Sequence, residues 1–336
     1  MTSSSPQNAP FGSILTDVMA ISWYRKGEWQ EHALKAVGPI EIHPAAHALH
    51  YGSECFEGFK AYRAAAGGVH VFRMDRHIAR LRQSARNLVL PEPDAAQVEA
   101  MVRAVVDRCR AAVPEAPGAL YLRPLLFGTM ANIGAASTPT DEACLVVLAS
   151  PVWDYFAGGG KPLRIYIEEH ATRCASNMGT VKTGGNYAAA LGPTLAARRD
   201  KNADQVLFCP GGEVQETGAA NFFAIRDGQI LTRGLDKSFL HGVTRESLLS
   251  IAPELGYRVE ERVFTVEELL EWVRTGEAAL SGTAAVLSGV GTLIRGSREY
   301  PVGSGTIGEH TQRLRAALVA IQRGITPDRH GWLTRV

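Results

Sequence analysis

Met178-Gly179-Thr180-Val181-Lys182-Thr183-Gly184-Gly185-Asn186-Tyr187 is the stretch on which the reading of this chain turns. Lys182 is its one charged residue, and the segment runs into a helix expected from about Asn186 to Arg199. Glycines on both sides let backbone approach a bound group closely. An amine held out of water suits nucleophilic chemistry on a carbonyl, whereas a lysine at an open glycine turn is only a solvated charge. The choice of amines is short. Of the 35 basic residues only seven are lysines, Lys26, Lys35, Lys60, Lys161, Lys182, Lys201 and Lys237, and arginine stays protonated. Lys201 sits in the charged run Arg198-Arg199-Asp200-Lys201, and Lys26 and Lys35 flank polar turns, so these read as solvated.

The 336 residues correspond to about two domains, and 46% hydrophobic with 21% charged residues excludes a mostly disordered chain. A formal net charge of +1 leaves no footprint for nucleic acid or an anionic membrane surface. No apolar run approaches the roughly 18 residues of a spanning helix. The N-terminus lacks the features of a signal peptide, so a cytoplasmic protein with a flexible tail over residues 1–15 is expected. The five cysteines are widely spaced with no Cys-x-x-Cys, which suggests neither a disulfide framework nor a zinc ribbon. Cys109 and Cys144 fall in apolar patterns and read as small buried hydrophobes. His43, His47 and His50 lack the further ligands of a closed zinc site and read as turn and packing residues; no metal is expected.

Hydrophobic periodicity divides the chain into two mixed α+β domains. In the first, a hairpin is expected around Arg25-Lys26-Gly27-Glu28, with short strands at Lys60 to Arg63 and Val69 to Arg73. Asp75 is placed to cap a helix with the stripe Ile78, Leu81, Ala85 and Leu88. A second helix has Val98, Met101, Val102, Val105, Val106 and Cys109 at i, i+3, i+4, i+7 spacing. Leu120 to Phe127 and Ala143 to Ser150 read as strands. The triple glycine in Pro151 to Gly160 marks an interdomain connection. The second domain reads as strands at Leu163 to Glu168 and Gln205 to Phe208 and a hairpin around Asp227-Gly228. Thr244 is placed to cap a helix through Leu255, Thr265-x-x-Glu268 forms a capping box, and Glu309 to Arg323 closes the chain. The boundaries are therefore 16–151 for a small domain, 152–161 for the loop and 162–336 for a larger domain.

No phosphate loop, GxSxG elbow or HExxH occurs. Gly303-x-Gly305-x-x-Gly308 matches the dinucleotide fingerprint in letters, but only 28 residues follow it, too few for the rest of the sheet. Three other segments stand out. In Glu213-Val214-Gln215-Glu216, alternation puts Glu216 on the face of Val214. Either both are exposed, or the carboxylate points inward and needs a cation from protein or ligand. Tyr121 and Arg123 share a face of an apolar strand, an arrangement suited to a substrate carboxylate, and Pro124 suggests a strand end or sheet edge. Phe239-Leu240-His241-Gly242-Val243-Thr244-Arg245 runs a glycine turn into a helix start, which is either a plain cap or a phosphate site. An amine, an inward acid, an anion-binding helix start and a carboxylate-binding arginine are the set that pyridoxal phosphate requires.

These segments resemble the branched-chain amino acid aminotransferases, members of the fold-type IV pyridoxal-phosphate enzymes. The matching stretches are His47-Ala-Leu-His-Tyr-Gly-Ser-Glu-Cys-Phe-Glu-Gly58, Tyr121-Leu-Arg-Pro124, Lys182-Thr-Gly-Gly-Asn-Tyr187, Gln215-Glu-Thr-Gly218, Gly242-Val-Thr-Arg245 and Ser281-Gly-Thr-Ala284. They occur in family order over nearly the whole chain. The resemblance implies a two-domain fold like that of the D-amino acid aminotransferases, with a small α/β N-terminal domain, a larger cofactor-binding C-terminal domain and the cofactor at their interface. It implies that Lys182 carries pyridoxal 5'-phosphate as a Schiff base and shuttles the proton, with Glu216 on the ring nitrogen and Tyr187 on the phenolic oxygen. Arg80, Val243, Thr244 and Thr283 would hold the phosphate. Arg80 lies off its helix's apolar stripe, and periodicity alone assigns it to solvent. Tyr51, Phe56, Tyr121, Arg123 and Tyr155 would line the substrate pocket, with the Thr283-Ala284 turn receiving the α-carboxylate.

The implied activity is amino transfer between L-leucine, L-isoleucine or L-valine and 2-oxoglutarate by a ping-pong route. Tyr51 and its neighbours would serve a second subunit, so a homodimer or higher homo-oligomer is expected, with small amino and 2-oxo acids as partners and neither nucleic acid nor membrane. A D-amino acid or R-amine transaminase, or an aminodeoxychorismate lyase-like enzyme, is the alternative on the same fold. An NAD(P)-dependent oxidoreductase resting on residues 303–308 and a non-catalytic cofactor-binding protein are alternatives of other classes. Two departures are visible. His241 replaces the family's usual proline, which is expected to loosen the phosphate turn without abolishing it, and Ala285-Val-Leu-Ser288 replaces the Cys-x-x-Cys of some animal members.

Overall fold

Val98, Met101, Val102, Val105 and Val106 are all fully buried, so the stripe read from the sequence is the face by which its helix covers a sheet. The computed structural model describes residues 9–153 and 160–336. Its first elements are β1 (Val18–Arg25), β2 (Glu28–Trp29), β3 (Ala33–Ala36), α1 (His47–Tyr51), β4 (Glu54–Phe56), β5 (Phe59–Arg63) and β6 (Val69–Phe72). There follow α2 (Met74–Asn87), α3 (Ala95–Arg108), β7 (Ala119–Gly128), β8 (Ala143–Val152), β9 (Leu163–Glu168), α4 (Gly184–Lys201) and β10 (Gln205–Phe208). The remainder is β11 (Asn221–Arg226), β12 (Gln229–Thr232), α5 (Val243–Ile251), β13 (Arg258–Glu261), α6 (Val266–Trp272), β14 (Glu277–Gly282), β15 (Val286–Arg295), β16 (Arg298–Pro301), α7 (Glu309–Gln322) and β17 (Leu333–Arg335).

Two sheets make the architecture α+β. A nine-stranded sheet has the order β17-β6-β5-β7-β8-β1-β2, with β3 beside β1 and β4 beside β7, and its pairings are antiparallel. An eight-stranded sheet has the order β10-β9-β15-β14-β11-β12-β13, with β16 beside β15. It is mixed, since β9 runs parallel to both β10 and β15. The described residues fall into two compact units, one of 9–153, 181–184 and 321–336, the other of 160–180 and 185–320. The segments 181–184 and 321–336, which the sequence places with the second domain, group with the first. The reason is tertiary bonding: β17 adds to β6, and Lys182 O accepts from the Phe56 N–H.

In the first unit, Ile78, Leu81 and Ala85 of α2 join the α3 stripe over Leu120, Leu122, Leu145 and Val147. In the second, Val266, Leu269 and Trp272 of α6 pack with Ile165, Leu207, Phe222 and Leu280. Full burial of such side chains is worth about 1.5–3 kcal/mol each, which fixes the strand registers that carry the polar residues below. Among the described residues no helix is long and apolar enough to cross a membrane.

Three helix starts differ from the sequence reading. α2 is entered from Arg73, at φ 51°, instead of being capped by Asp75. The Arg73 N–H donates to Trp332 O at 2.8 Å and its guanidinium lies 4.8 Å over the Trp332 ring. α4 begins two residues early, at Gly184, whose N–H is accepted by a carboxylate outside the helix. α5 is preceded by Gly242 with no side-chain cap, so Thr244 is inside it. That helix stops at Ile251, short of Leu255, and Pro253, which has no N–H to continue it, opens a 3-10 turn.

Candidate active site

In the first unit one polar row of α2 faces Glu57 without sharing the helix's apolar stripe. His77, Arg80 and Ser84 stand at i, i+3 and i+7. Arg80 is held by Glu57, which is fully buried: Arg80 Nε donates to Oε1 at 2.6 Å and Nη2 to Oε2 at 3.0 Å. His77 Nδ1 lies 2.7 Å from Glu57 Oε2. Burial alone pushes the Glu57 carboxyl up, but Arg80 and then His77 outweigh it and hold it well below the usual carboxylate range. Burial pushes His77 below its usual value, and Arg80 and Lys182 add to this against the pull of Glu57.

Ser84 reaches the lysine. The Lys182 N–H donates to Ser84 Oγ at 3.0 Å, and Lys182 O accepts from the Phe56 N–H at 3.0 Å. The Lys182 ammonium lies 4.9 Å from the Phe56 ring centroid. Arg123 meets the same ring, its guanidinium 4.5 Å from the centroid, a cation–π distance. Arg123 Nη2 donates to Tyr121 Oη at 2.9 Å, while Arg123 Nε is buried without a hydrogen-bond partner. A Cβ on Gly58 would lie 1.9 Å from Tyr121 Oη, so only glycine admits that hydroxyl. Lys182, Phe56, Tyr121 and Arg123 are thus brought together. Arg123 is not at a sheet edge: Pro124 sits inside β7, between β4 and β8. Glu57 N–H donates to Pro124 O at 2.9 Å, and the proline's missing N–H falls where the ladder passes from β4 to β5.

Tyr51 does not join this group. It is 37% exposed, its hydroxyl donates to Ile133 O at 2.5 Å, and its ring lies 4.9 Å from that of His47. Tyr155 lies outside the described residues.

In the second unit the open question about Glu216 is answered by burial: Val214 is fully buried and Glu216 is 2% exposed. Its cation is Arg173, itself buried, with Nη1 2.7 Å from Glu216 Oε1. The Leu240 N–H donates to the same oxygen at 2.9 Å, and Asn221 Nδ2 donates to Oε2 at 3.3 Å and to Leu240 O at 2.8 Å. Asn221 also meets the start of α5, where a Cβ on Gly242 would lie 2.0 Å from Asn221 Oδ1. The acid is therefore joined through two residues to the helix start carrying Val243 and Thr244, whose first amides have no intrahelical partner. Tyr187, in the first turn of α4, has the Arg173 guanidinium 5.8 Å from its ring. Thr283 and Ala284 form the turn from β14 to β15, followed by Val286 at φ 63°, a left-handed conformation that β-branched residues rarely adopt. His241 has a partner in its own turn: Nε2 donates to Asp236 O at 2.8 Å.

The histidines and glycines set aside from the sequence have structural partners. His47 is bonded to Ser53 Oγ at 2.8 Å and to Thr138 O at 3.1 Å, and His50 to Pro44 O at 2.9 Å. Among the described residues no group of His, Cys, Asp or Glu could hold a metal ion. The helix start after Gly308 is filled by the Glu277 carboxylate, which accepts from the amides of His310 and Thr311, so a dinucleotide phosphate has no place there. Periodicity missed Glu57, His77, Ser84, Arg173 and Asn221. The row His77-Arg80-Ser84 was a usable signal; Arg173, a lone arginine in a loop, offered none.

A family model described as amino-transferase class IV matches residues 54–292. A probable branched-chain-amino-acid aminotransferase of Streptomyces coelicolor is 40% identical over 97% of this chain and 92% of its own length. The branched-chain-amino-acid aminotransferase of Mycobacterium tuberculosis is 39% identical over the same shares. Among solved structures, a T.th. branched-chain amino acid aminotransferase with pyridoxamine 5'-phosphate superposes with a TM-score of 0.81 at 28% identity, covering 96% of this chain and 99% of that one. The same protein has been solved with N-(5'-phosphopyridoxyl)-L-glutamate and with 4-methylvaleric acid. With its two-sheet fold, its family match and these relatives, the chain belongs to the class IV aminotransferases and, within them, to the branched-chain-amino-acid aminotransferases.

Proposed function

We propose that this chain is a pyridoxal-phosphate-dependent transaminase that transfers the amino group between L-leucine, L-isoleucine or L-valine and 2-oxoglutarate in a ping-pong cycle, with glutamate as the aminated partner. The observation that carries the reading is the Phe56 ring, contacted by both the Lys182 ammonium and the Arg123 guanidinium. An amine and a carboxylate-binding cation, read independently from distant segments, converge on one side chain. The ligands of the T.th. relative, a glutamate adduct of the cofactor and a branched aliphatic acid, support one pocket for both substrate classes.

The residues suit the cofactor: a primary amine, a buried carboxylate, and a helix start with no side-chain cap beside that carboxylate. When bound, pyridoxal phosphate supplies an electron sink for the charge that develops at the substrate's α-carbon. Lys182 Nζ holds the cofactor and moves the α-proton. Glu216 holds the proton on the ring nitrogen, with Arg173 and the Leu240 amide fixing the carboxylate, and Tyr187 donates to the phenolic oxygen. Arg80, oriented by Glu57, binds the phosphate with Val243, Thr244 and Thr283. Phe56 and Tyr121 give the pocket its apolar wall, Arg123 receives the γ-carboxylate of glutamate, and the Thr283-Ala284 turn receives the α-carboxylate. Tyr51 and Tyr155 complete the lining, Tyr51 for a second subunit of a cytoplasmic homodimer. Leu49 and Ile133, 59% and 69% exposed near Tyr51, are the surface a second copy would cover.

The absorption spectrum of the purified protein tests the reading. A visible band that bleaches with L-leucine and returns with 2-oxoglutarate is expected, and Lys182→Ala should lose both the band and roughly 10²–10⁴-fold in turnover. A colourless protein, or a band that responds to D-alanine or an R-amine and not to L-leucine, would exclude it.

A further inference from the structure

Glu54 takes no part in the chemistry proposed above, yet it holds the turn that carries Lys182. Glu54 and Phe56 lie two apart on β4 and share a face, while Cys55 between them is fully buried on the other. From that face Glu54 Oε1 accepts from Thr183 Oγ1 at 3.0 Å and from the Gly184 N–H. Together with Phe56 N–H on Lys182 O and Ser84 Oγ on Lys182 N–H, this ties the turn from Lys182 to Gly184 to partners distant in sequence. A Cβ at position 184 would lie 2.6 Å from Glu54 Oε1, so the close approach requires glycine there. Thr183 is 2% exposed, so losing the carboxylate leaves a buried hydroxyl whose bond must be remade. One strand face thus meets this segment twice, the Lys182 side-chain nitrogen through the Phe56 ring and the two residues after the lysine through Glu54.

We propose that Glu54 is a positioning residue for amino transfer: its carboxylate fixes the Lys182-Thr183-Gly184 turn and with it the direction in which the Lys182 side chain leaves the backbone. The proposal rests on the reading of Lys182 as the reacting amine. A displacement of the order of 1 Å at a reacting group costs up to about a hundredfold in rate without weakening substrate binding to match.

Glu54→Ala is compared with the parent enzyme in three measurements. These are kcat and KM for L-leucine, the rate at which protein stripped of cofactor regains its visible band with pyridoxal phosphate, and thermal unfolding. A kcat lower by about tenfold to a hundredfold, KM within about threefold and band recovery slower by about tenfold are expected. Glu54→Gln, which keeps an acceptor oxygen, should bring both rates back to within about threefold of the parent. Parent-like kcat and band recovery in Glu54→Ala overturn the proposal. Should that variant fail to fold, Thr183→Ala removes one of the two donors and should lower kcat by about threefold to tenfold, with an unchanged kcat overturning the proposal equally. Lys182→Ala separates the failures. If it keeps band and turnover, the transaminase reading falls; if it is inactive while Glu54→Ala is unimpaired, only the positioning role falls.

Discussion

Glu54 and Glu277 occupy corresponding places in the two units. Each is the first residue of a strand, β4 and β14, and each sends its carboxylate to the mouth of a helix elsewhere in the chain, α4 and α7. Each approach depends on a glycine, since a Cβ on Gly184 would lie 2.6 Å from Glu54 Oε1 and one on Gly308 1.9 Å from Glu277 Cδ. The electrostatics are the same, a negative charge at the positive end of a helix. The difference lies in what precedes the helix. Before α7 stands Gly303-Ser-Gly-Thr-Ile-Gly308, which holds no amine or other ionisable side chain, and Glu277 spends both oxygens on the amides of His310 and Thr311 and the Thr311 hydroxyl. Before α4 stands Lys182, so the same capping interaction also orients an amine. Capping is a stability device that becomes a positioning device when a reacting group shares the turn.

The comparison breaks or sharpens on three variants. The largest effect is expected at Glu57, a carboxylate whose partners are buried side chains instead of amides. Glu57→Ala strands Arg80 and His77 and should lower the stability of the first unit by about 3–5 kcal/mol, read by urea denaturation, with loss of cofactor affinity. A change no larger than that of a surface residue would show that side-chain pairing here is dispensable. Glu277→Ala should cost about 1–3 kcal/mol through the lost α7 cap while kcat for L-leucine stays within about twofold of the parent. A tenfold drop in kcat would erase the distinction between the two helix mouths.

The smallest effect is the pH dependence. His77 has a folded pKa below its usual 6.5, so on acidification the unfolded chain takes up a proton that the folded chain refuses, and stability falls as pH drops below about 6.5. Glu57, held low, adds stability that is complete above the ordinary carboxylate range and is lost as pH falls through that range and below it. Both act in the same direction. His77→Gln should therefore flatten the slope of melting temperature between pH 5 and about 7, leaving the share of His70, which burial also holds low. An unaltered slope would place the titration elsewhere.

The α3 stripe, the ends of β9 and β10, and the Asp227-Gly228 hairpin were legible in the sequence, because each rests on a period or a turn within a dozen residues. The box at Thr265 was legible for the same reason, its hydroxyl accepting from the Glu268 N–H at 3.2 Å. Arg80 was not. Its partner Glu57 lies 23 positions away, and periodicity assigns any charge off the apolar stripe to solvent. The caps placed on Asp75 and Thr244 failed similarly, since Arg73 follows Trp332 and the Gly242 turn follows Asn221.

The sequence by itself determined the family and named a candidate amine with some of the polar residues proposed to serve it, because motif and spacing record which chemical groups the chain holds. Only the tertiary structure decided which of those groups meet. It set Lys182 and Arg123 on one phenylalanine ring, Arg173 on Glu216 and Glu54 on the turn after the lysine. The physical reason is that burial requires every charge to find a partner, and in a folded chain that partner is chosen by distance in space, which no local pattern encodes.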